Sequence, residues 1–343
     1  MTPTHRLRPT SPLAAESDPM LNSPPQMSPR TRTSSPAVPA TEPEPRGPVG
    51  ARRTARGLLR ATRPKQWVKN VLVVAAPASA GVLFRPWALG QTAIAFAAFT
   101  ACAAAGYLVN DAGDVAADRR HPTKRFRPIA AGIVPVGLAR CTAGLLAVAA
   151  IALGGLLCGW ELSAALGVYL AVTVTYSTWL KHVAIVEMLL VAAGFLLRAV
   201  TGAAATHVTM SRWFLIVAGF GSLYMVVGKR YAEATGLGEN AVGARRILGE
   251  YPVNFLRQTR ELSAAVTLVA YCLWAFEQAP AHGFPWGQLS ILPMTFGLLR
   301  YGLLLERGQG GAPEDVVLGD RALLFAGAGW VVTFGLGVLV TRS

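Results

Sequence analysis

The chain has 343 residues, of which 52% are hydrophobic and only 15% are charged, and its mean hydropathy is +0.41. Ordinary soluble domains carry about 25% charged residues, so this composition argues against a soluble fold and indicates a membrane protein. Lysines and arginines number 32 against 18 acids, a net charge of +14 that in a soluble protein would suggest a nucleic-acid partner. The position of these charges along the chain decides between the two interpretations.

The amino-terminal segment differs in composition from everything that follows. Its first 50 residues hold 12 of the 23 prolines, with many serines and threonines and few branched or aromatic side chains. Such a segment buries too little apolar surface to offset its chain entropy, and it has no apolar stretch that would form a secretory signal. We expect residues 1–60 to be a disordered cytoplasmic tail and residues 61–343 to be the folded domain.

From Trp67 onward, apolar segments of about 20 residues, the length that spans a bilayer, follow one another with short polar breaks. These segments are continuously apolar rather than alternating, which favours helices over a membrane barrel. The sequence therefore predicts an all-α polytopic membrane protein with about nine transmembrane helices. The approximate spans are 67–84, 88–109, 130–158, 161–180, 183–205, 212–228, 262–278, 287–305 and 321–341.

Basic residues concentrate before the first predicted span, between the second and third, and between the sixth and seventh. Because cytoplasmic loops retain lysine and arginine, this asymmetry predicts a cytoplasmic amino terminus in a multi-pass protein of the cell membrane. The net charge is then a topological and membrane-surface signal. We expect no nucleic-acid partner.

Three aspartates stand at the predicted cytoplasmic end of the second span, in the segment that begins at Asn110. On a helix with about 100° per residue, Asp111, Asp114 and Asp118 fall within about 60° of one another. Carboxylates on one face, with room for phosphate oxygens, are typical of a Mg²⁺ site. The alternative is a solvated helix end whose acids pair with basic residues of the following loop, namely Arg119, Arg120 or Lys124.

Other polar groups are predicted at the same depth. The basic run 119–127 either contacts lipid headgroups or clamps a highly charged substrate, and the sequence leaves both open. Arg198 lies inside the fifth span, where an arginine is costly in lipid and marks a functional site unless it pairs with an acid such as Glu187. The candidate substrate-binding residues are Lys69, Asn110, Lys124, Arg127, Tyr176, Lys181, Arg198, Lys229, Arg230 and Glu233.

These residues carry a resemblance to a known family. The pattern Asn110, Asp111, Asp114 and Asp118 resembles the NDxxDxxxD signature of the UbiA superfamily of intramembrane prenyltransferases. Segments 63–70, 121–132 and 228–233 more narrowly resemble its actinobacterial phosphoribosyltransferase branch. The likeness runs from about Arg63 to the end of the chain and implies a UbiA-like bundle with a cytoplasm-facing active-site cavity.

One position departs from most of the superfamily. A second aspartate-rich motif is expected after the sixth helix, but Lys229, Arg230 and Glu233 stand there. This departure argues against a prenyl diphosphate substrate and suits the phosphoribosyltransferase branch.

By resemblance, the reaction is Mg²⁺-dependent transfer of 5-phosphoribose from 5-phosphoribosyl 1-diphosphate to decaprenyl (polyprenyl) phosphate. Its products are pyrophosphate and a lipid-linked phosphoribose that feeds arabinan synthesis for the cell wall. The resemblance assigns the catalytic metal to Asp111, Asp114 and Asp118. The pyrophosphate would contact Lys69, Arg127 and Lys181, the 5-phosphate or lipid phosphate Lys229 and Arg230, and the ribose hydroxyls Tyr176 and Glu233.

Two alternatives remain at this point. The first is an ordinary superfamily member that moves a prenyl chain from its diphosphate to an aromatic or haem acceptor. The second is a transporter, which nine spans and Arg198 would also suit, although the polar groups concentrate at one end of the spans rather than at the midplane. Whether the chain forms a homo-oligomer is left open by the sequence.

Overall fold

A computed structural model describes residues 50–236, 246–278, 284–310 and 312–342. This part of the chain is helical and contains no strand, which confirms the predicted all-α fold. Its α-helices are α1 (Ala51–Ala61), α2 (Ala75–Ser79), α3 (Pro86–Gly113), α4 (Val115–Arg120), α5 (Val136–Cys158), α6 (Trp160–Thr178), α7 (Val186–Ala205), α8 (Arg212–Gly236), α9 (Val253–Glu277), α10 (Trp286–Leu289), α11 (Ile291–Glu306), α12 (Pro313–Gly319) and α13 (Arg321–Arg342). Four 3₁₀ segments are also present in it, namely Pro64–Val74, Lys124–Phe126, Leu180–His182 and Arg246–Glu250.

Helices lie at each of the nine predicted spans. Among the described residues, five stretches are long and apolar enough to cross a membrane: Pro86–Gly113, Val136–Cys158, Val186–Ala205, Trp286–Glu306 and Arg321–Val340. The first predicted span instead combines the 3₁₀ segment Pro64–Val74 with the short helix α2. The chain is thus a multi-pass helical protein, and the count of nine stays a prediction.

Prolines and one glycine set the helix boundaries that matter for the site. Pro86 begins α3 and Pro313 begins α12, the position where a missing backbone N–H costs nothing. Gly159, at φ +96°, is the single residue between α5 and α6, and a side chain would strain the backbone there. These two helices therefore form a tight hairpin.

The 3₁₀ segment Pro64–Val74 packs closely against α7. A Cβ on Gly202 would lie 1.8 Å from the carbonyl oxygen of Val73, so only glycine allows this approach. Val73 is fully buried in a core that it shares with Phe99 of α3 and Leu166 of α6. The segment therefore packs against α3 and α7, which positions the residues it carries.

The structure corrects the predicted boundary of the tail. Residues 51–60 belong to the predicted tail, but they form most of α1. Gly57 of this helix is buried, and a Cβ there would meet Ile133 at 2.8 Å and Val134 at 3.1 Å. Burial of this small-residue face explains why a segment rich in arginine is ordered. The rest of the predicted tail, residues 1–49, lies outside the described residues.

Candidate active site

The three predicted metal ligands lie together where α3 ends. Asp111 is in the last turn of α3, Asp114 is the residue between α3 and α4, and Asp118 lies on α4. The helix breaks at Asp114, so the three acids do not continue along one straight helix face as predicted. Asp111 and Asp118 are nevertheless both buried, and Asp114 is half-buried.

Each of these aspartates contacts a cation from another part of the chain. Arg127 Nη1 lies 2.7 Å from Asp118 Oδ2 and 3.2 Å from Asp111 Oδ1, so one guanidinium nitrogen joins two carboxylates. Arg63 Nη2 donates to Asp111 Oδ1 at 2.6 Å. Lys181 Nζ contacts Asp114 Oδ1 at 2.6 Å. We call these six residues the aspartate cluster: Asp111, Asp114, Asp118, Arg63, Arg127 and Lys181.

The pairs differ from the ones expected for a solvated helix end. Among the described residues, no ion pair joins the three aspartates to Arg119, Arg120 or Lys124. Arg119 Nε instead donates to the carbonyl of Ala130 at 3.1 Å. The cations come from the start of the chain's first 3₁₀ segment, from the loop after α4 and from the loop after α6. Such a convergence of distant segments is typical of a site rather than of a helix end.

Arg63 is a member of the cluster that the sequence analysis did not single out. Its φ of +55° places it in the left-handed region, which costs about 1–2 kcal/mol for a residue with a side chain. The guanidinium is held by Asp111 and stacks over the ring of Tyr107 at 4.8 Å. Both partners lie on α3, so the strained backbone fixes the cation against this helix.

The aspartate cluster suits a hard divalent cation by its donor chemistry. Mg²⁺ prefers carboxylate and phosphate oxygens and uses one or two protein carboxylates in most sites. Asp111 and Asp118 already reach a common cationic nitrogen, that of Arg127. Within the described residues, however, no three acidic, histidine or cysteine side chains converge closely enough to hold a metal. The geometry fits two aspartates better than all three.

A second group of charges joins α7 and α8. Arg230 Nε and Nη2 bind the two carboxylate oxygens of Glu187 at 2.7 and 2.8 Å, and its Nη1 binds Glu233 at 2.7 Å. Arg230 is 4% exposed and Glu187 is 1% exposed. We call Glu187, Arg230 and Glu233 the Arg230 cluster. All three nitrogens of this guanidinium bind protein carboxylates, which favours a structural role for Arg230 over the predicted phosphate contact.

Lys69 and Lys229 pair with acids outside the aspartate cluster. Lys69 Nζ pairs with Glu314 Oε1 at 3.0 Å, although it was predicted to contact the same phosphate oxygens as Arg127 and Lys181. Lys229 Nζ lies 3.9 Å from Glu233 Oε1. Burial raises the pKa of Glu314, but hydrogen bonds from its own backbone and from Lys69 outweigh burial and hold this pKa below its ordinary value. Glu314 was not identified from the sequence.

Arg198 is buried inside the bundle, as predicted, but its partner differs from the acid that was considered. Its Nε donates to Asn70 Oδ1 at 3.0 Å, and the guanidinium lies over Phe99 and Phe195 at 5.0 Å. Glu187 is engaged by Arg230 instead. In the part of the chain that the structure describes, no carboxylate lies within 4 Å of Arg198. Aromatic faces and an amide therefore stabilise this cation.

The remaining predicted residues are close in sequence to members of the aspartate cluster. Asn110 directly precedes Asp111 in the last turns of α3. Tyr176 is half-buried near the end of α6, and Lys124 is half-buried in the loop before Arg127. Within the described residues, a cavity of about 300 Å³ lies between α8 and α9. Apolar side chains of both helices line it, among them Trp213 and Leu273. The predicted cavity at the aspartates stays a prediction.

Buried helices that bring carboxylates and cations together at one end define a membrane-embedded protein suited to phosphate chemistry. Residues 71–318 match the model of the UbiA prenyltransferase family, and the chain belongs to that family. It is similar to the UbiA homologue of Archaeoglobus fulgidus bound to GPP and Mg²⁺, with a TM-score of 0.63 at 13% identity over 84% of this chain and 100% of the other. This similarity concerns the fold.

Curated relatives are much more similar in sequence. Decaprenyl-phosphate phosphoribosyltransferase of Corynebacterium glutamicum is 43% identical over 83% of this chain and 88% of its own length. The enzyme of the same name from Mycobacterium tuberculosis is 44% identical over 82% of this chain and 94% of its own length. Both alignments cover nearly the whole of the relative.

Proposed function

We propose that the protein transfers 5-phosphoribose from 5-phosphoribosyl 1-diphosphate to decaprenyl or another polyprenyl phosphate and releases pyrophosphate. Identity above 40% to two phosphoribosyltransferases, over more than 80% of each chain, carries the proposal. The charges on α8 support it, because Lys229, Arg230 and Glu233 stand where a prenyl diphosphate enzyme is expected to carry further aspartates. The product then carries phosphoribose on a lipid phosphate.

The donor presents a pyrophosphate, and the aspartate cluster holds cations suited to it. Arg127 and Lys181 are partly exposed, so each can exchange a carboxylate oxygen for a phosphate oxygen. Arg63 remains on Asp111 and keeps that carboxylate oriented. In this arrangement the protein stabilises the charge that develops on the leaving pyrophosphate as the anomeric C–O bond breaks.

Mg²⁺ would be held by Asp111 and Asp118, with Asp114 as the third acid of the site. When bound, it would supply positive charge to the leaving pyrophosphate. The acceptor needs no protein nucleophile, because a phosphate monoester is ionised at neutral pH. Its oxygen forms the new bond to the anomeric carbon as the bond to pyrophosphate breaks.

Purified full-length protein in detergent tests this proposal with radiolabelled 5-phosphoribosyl 1-diphosphate and decaprenyl phosphate. We expect labelled lipid to form in the presence of Mg²⁺. Asp111→Asn and Asp118→Asn should each abolish the Mg²⁺-dependent transfer. Glu277→Gln is the control, since Glu277 pairs with Arg212 at the far end of α8 and α9. Prenyl transfer from a prenyl diphosphate, without phosphoribosyl transfer, would overturn the proposal.

We also propose that the aspartate cluster faces the cytoplasm of the cell, as the basic loops indicate. Arg125, near the cluster, and Arg212, at the start of α8, offer labelling positions at opposite ends. In a background without native cysteines, an impermeant maleimide should label the Arg212→Cys variant on intact cells. The Arg125→Cys variant should react only after permeabilisation. The reverse pattern would invert the topology.

A further inference from the structure

One ion pair links the 3₁₀ segment Pro64–Val74 to the short helix α12. Lys69 Nζ lies 3.0 Å from Glu314 Oε1, and both side chains are only partly exposed. Lys69 lies on Pro64–Val74, and Glu314 lies in the first turn of α12. The pair therefore connects two elements that are far apart in sequence.

Glu314 has a second lysine within electrostatic range. Lys229 of α8 lowers the pKa of the Glu314 carboxyl together with Lys69, so this acid is ionised at neutral pH. Lys229 also lies near Glu233. One carboxylate thus contacts one ammonium group and lies within electrostatic range of a second, a distribution of positive charge that would also favour a phosphate group.

The helix that carries Glu314 is short and lies between glycines. It has seven residues, follows Gly308 at φ +72° and ends at Gly319. Its inner side is apolar, because Val316 and Val317 pack on the core formed around Tyr301 and Leu305. Its polar contact with Lys69 is therefore separate from the packing that anchors it, and the contact can break while the helix stays in place.

Exposed apolar side chains border the pair on both elements. Val68 and Val71, which flank Lys69 in sequence, are 59% and 56% exposed. On α12, Leu318 is 68% exposed, one turn after Glu314. In a membrane protein such side chains meet lipid, so the pair lies beside a hydrocarbon-facing surface. The aspartate cluster, in contrast, is followed by the basic run 119–127, which is polar.

We propose that Lys69 binds the phosphate of the polyprenyl phosphate acceptor and that Glu314 is a positioning residue, which holds Lys69 until the lipid phosphate displaces it. The inference rests on the proposed function for its substrate. A polyprenyl phosphate has one anionic head and a hydrocarbon chain, and it fits a cation bordered by lipid-facing valines. The soluble donor, with two phosphorylated ends, fits the aspartate cluster.

Steady-state kinetics of the purified full-length enzyme separate the two substrates. Lys69→Gln should raise KM for decaprenyl phosphate about tenfold, the effect of losing one charge-assisted hydrogen bond, and leave KM for the donor unchanged. Lys69→Arg should restore most of the affinity for the lipid. Glu314→Gln should lower KM for the lipid about threefold, because Lys69 no longer has a competing carboxylate.

Asp315→Asn is the matched control for Glu314→Gln. Asp315 is exposed beside Glu314 in the same first turn, so its replacement removes the same charge from the helix start without touching Lys69. It should leave both KM values unchanged. An equal decrease in KM for the lipid in both variants would make the effect one of helix charge and overturn the role of Glu314.

A binding measurement tests the subsite independently of turnover. The probe is farnesyl phosphate in detergent. Farnesol is the control for the hydrocarbon chain without a phosphate, and inorganic phosphate is the control for the phosphate without a hydrocarbon chain. Glu314→Gln should tighten and Lys69→Gln should weaken binding of farnesyl phosphate, with no change for farnesol. Absence of phosphoribosyl transfer, with this binding pattern intact, would overturn the proposed function but keep the lipid-phosphate subsite. A change in donor KM alone, or unaltered binding of farnesyl phosphate in both variants, would overturn the subsite.

Discussion

The aspartate cluster and the Arg230 cluster both pair carboxylates with guanidinium groups, but the guanidinium groups are partly exposed in the first cluster and buried in the second. In the aspartate cluster, Asp111 and Asp118 are buried while the side chains of Arg63 and Arg127 stay 31% and 28% exposed. In the Arg230 cluster the cation itself is buried, against a fully buried Glu187. An exposed cation can change partners when a phosphate arrives, whereas a buried one cannot leave its carboxylate without a large desolvation cost. We therefore expect Arg127 and Arg230 to have different roles.

The largest expected effect falls on the Arg230 cluster. Arg230→Gln leaves the buried Glu187 carboxylate without its bidentate partner, a change that costs about 3–5 kcal/mol of stability. Thermal unfolding in detergent should show a marked fall in midpoint. The double variant Arg230→Met with Glu187→Leu should recover much of this loss, because no uncompensated charge remains. Full stability of Arg230→Gln together with loss of donor binding would return Arg230 to a substrate contact.

Arg127→Gln is the corresponding test of the aspartate cluster. Loss of one positioned donor to the leaving group should lower kcat about 100-fold. The unfolding midpoint should change much less than in Arg230→Gln, because Arg127 is partly solvated. Single-turnover rates and thermal unfolding on the same preparation check both statements. A large fall in stability with near-normal kcat would make the two clusters equivalent and break the comparison.

Gly202→Ala tests the close contact between α7 and the 3₁₀ segment Pro64–Val74. The added methyl group would overlap the Val73 carbonyl, so α7 must move away from Pro64–Val74 at a cost of about 1–3 kcal/mol. We expect a lower unfolding midpoint and a loss of activity in the same variant. Gly219→Ala on α8 is the control, because a Cβ there meets nothing within 4 Å. Equal behaviour of the two variants would contradict the close packing.

The smallest expected effect concerns Asp320, outside the helices. Arg300 and the backbone N–H of Leu323 hold its pKa below the ordinary value. Because this pKa is lower in the folded state, the ionised carboxylate stabilises the fold at pH values above the ordinary aspartate pKa. This contribution is lost as the pH falls through the lowered pKa. Asp320→Asn should therefore lower the unfolding midpoint slightly at pH 7. The difference from the native chain should vanish in acid, and a pH-independent difference would refute this origin.

Much of the fold followed from the sequence because its signals are local. Helix positions depend on apolar runs, and the aspartates stand out through their spacing. The contacts of Arg63, Glu187 and Glu314 were missed, since each pairs with a residue on another element. Their positions depend on how the helices pack. The turn at Asp114 was also missed, because a helix projection assumes that the helix continues.

The role of the charges was harder to predict than their presence. Lys69 and Arg230 were both expected at phosphates, and nothing in a local pattern tells a half-exposed lysine from a fully engaged arginine. The acid that binds Arg230, Glu187, is 43 positions earlier in the chain. The acid that binds Lys69, Glu314, is far later in the chain. Such pairs become visible only in three dimensions.

The 3₁₀ form of Pro64–Val74 has a geometric consequence. With three residues per turn, side chains three apart stand in line, and this segment shows separate rows. One row holds the buried Asn70 and Val73, the second holds the exposed Lys65, Val68 and Val71, and the third holds Gln66, Lys69 and Leu72. In an α-helix every three residues would drift by about 60°, so the rows would wind around the axis and mix. The tighter winding keeps the buried row on one side of the segment, while ammonium and apolar side chains share the two rows that stay partly or wholly exposed.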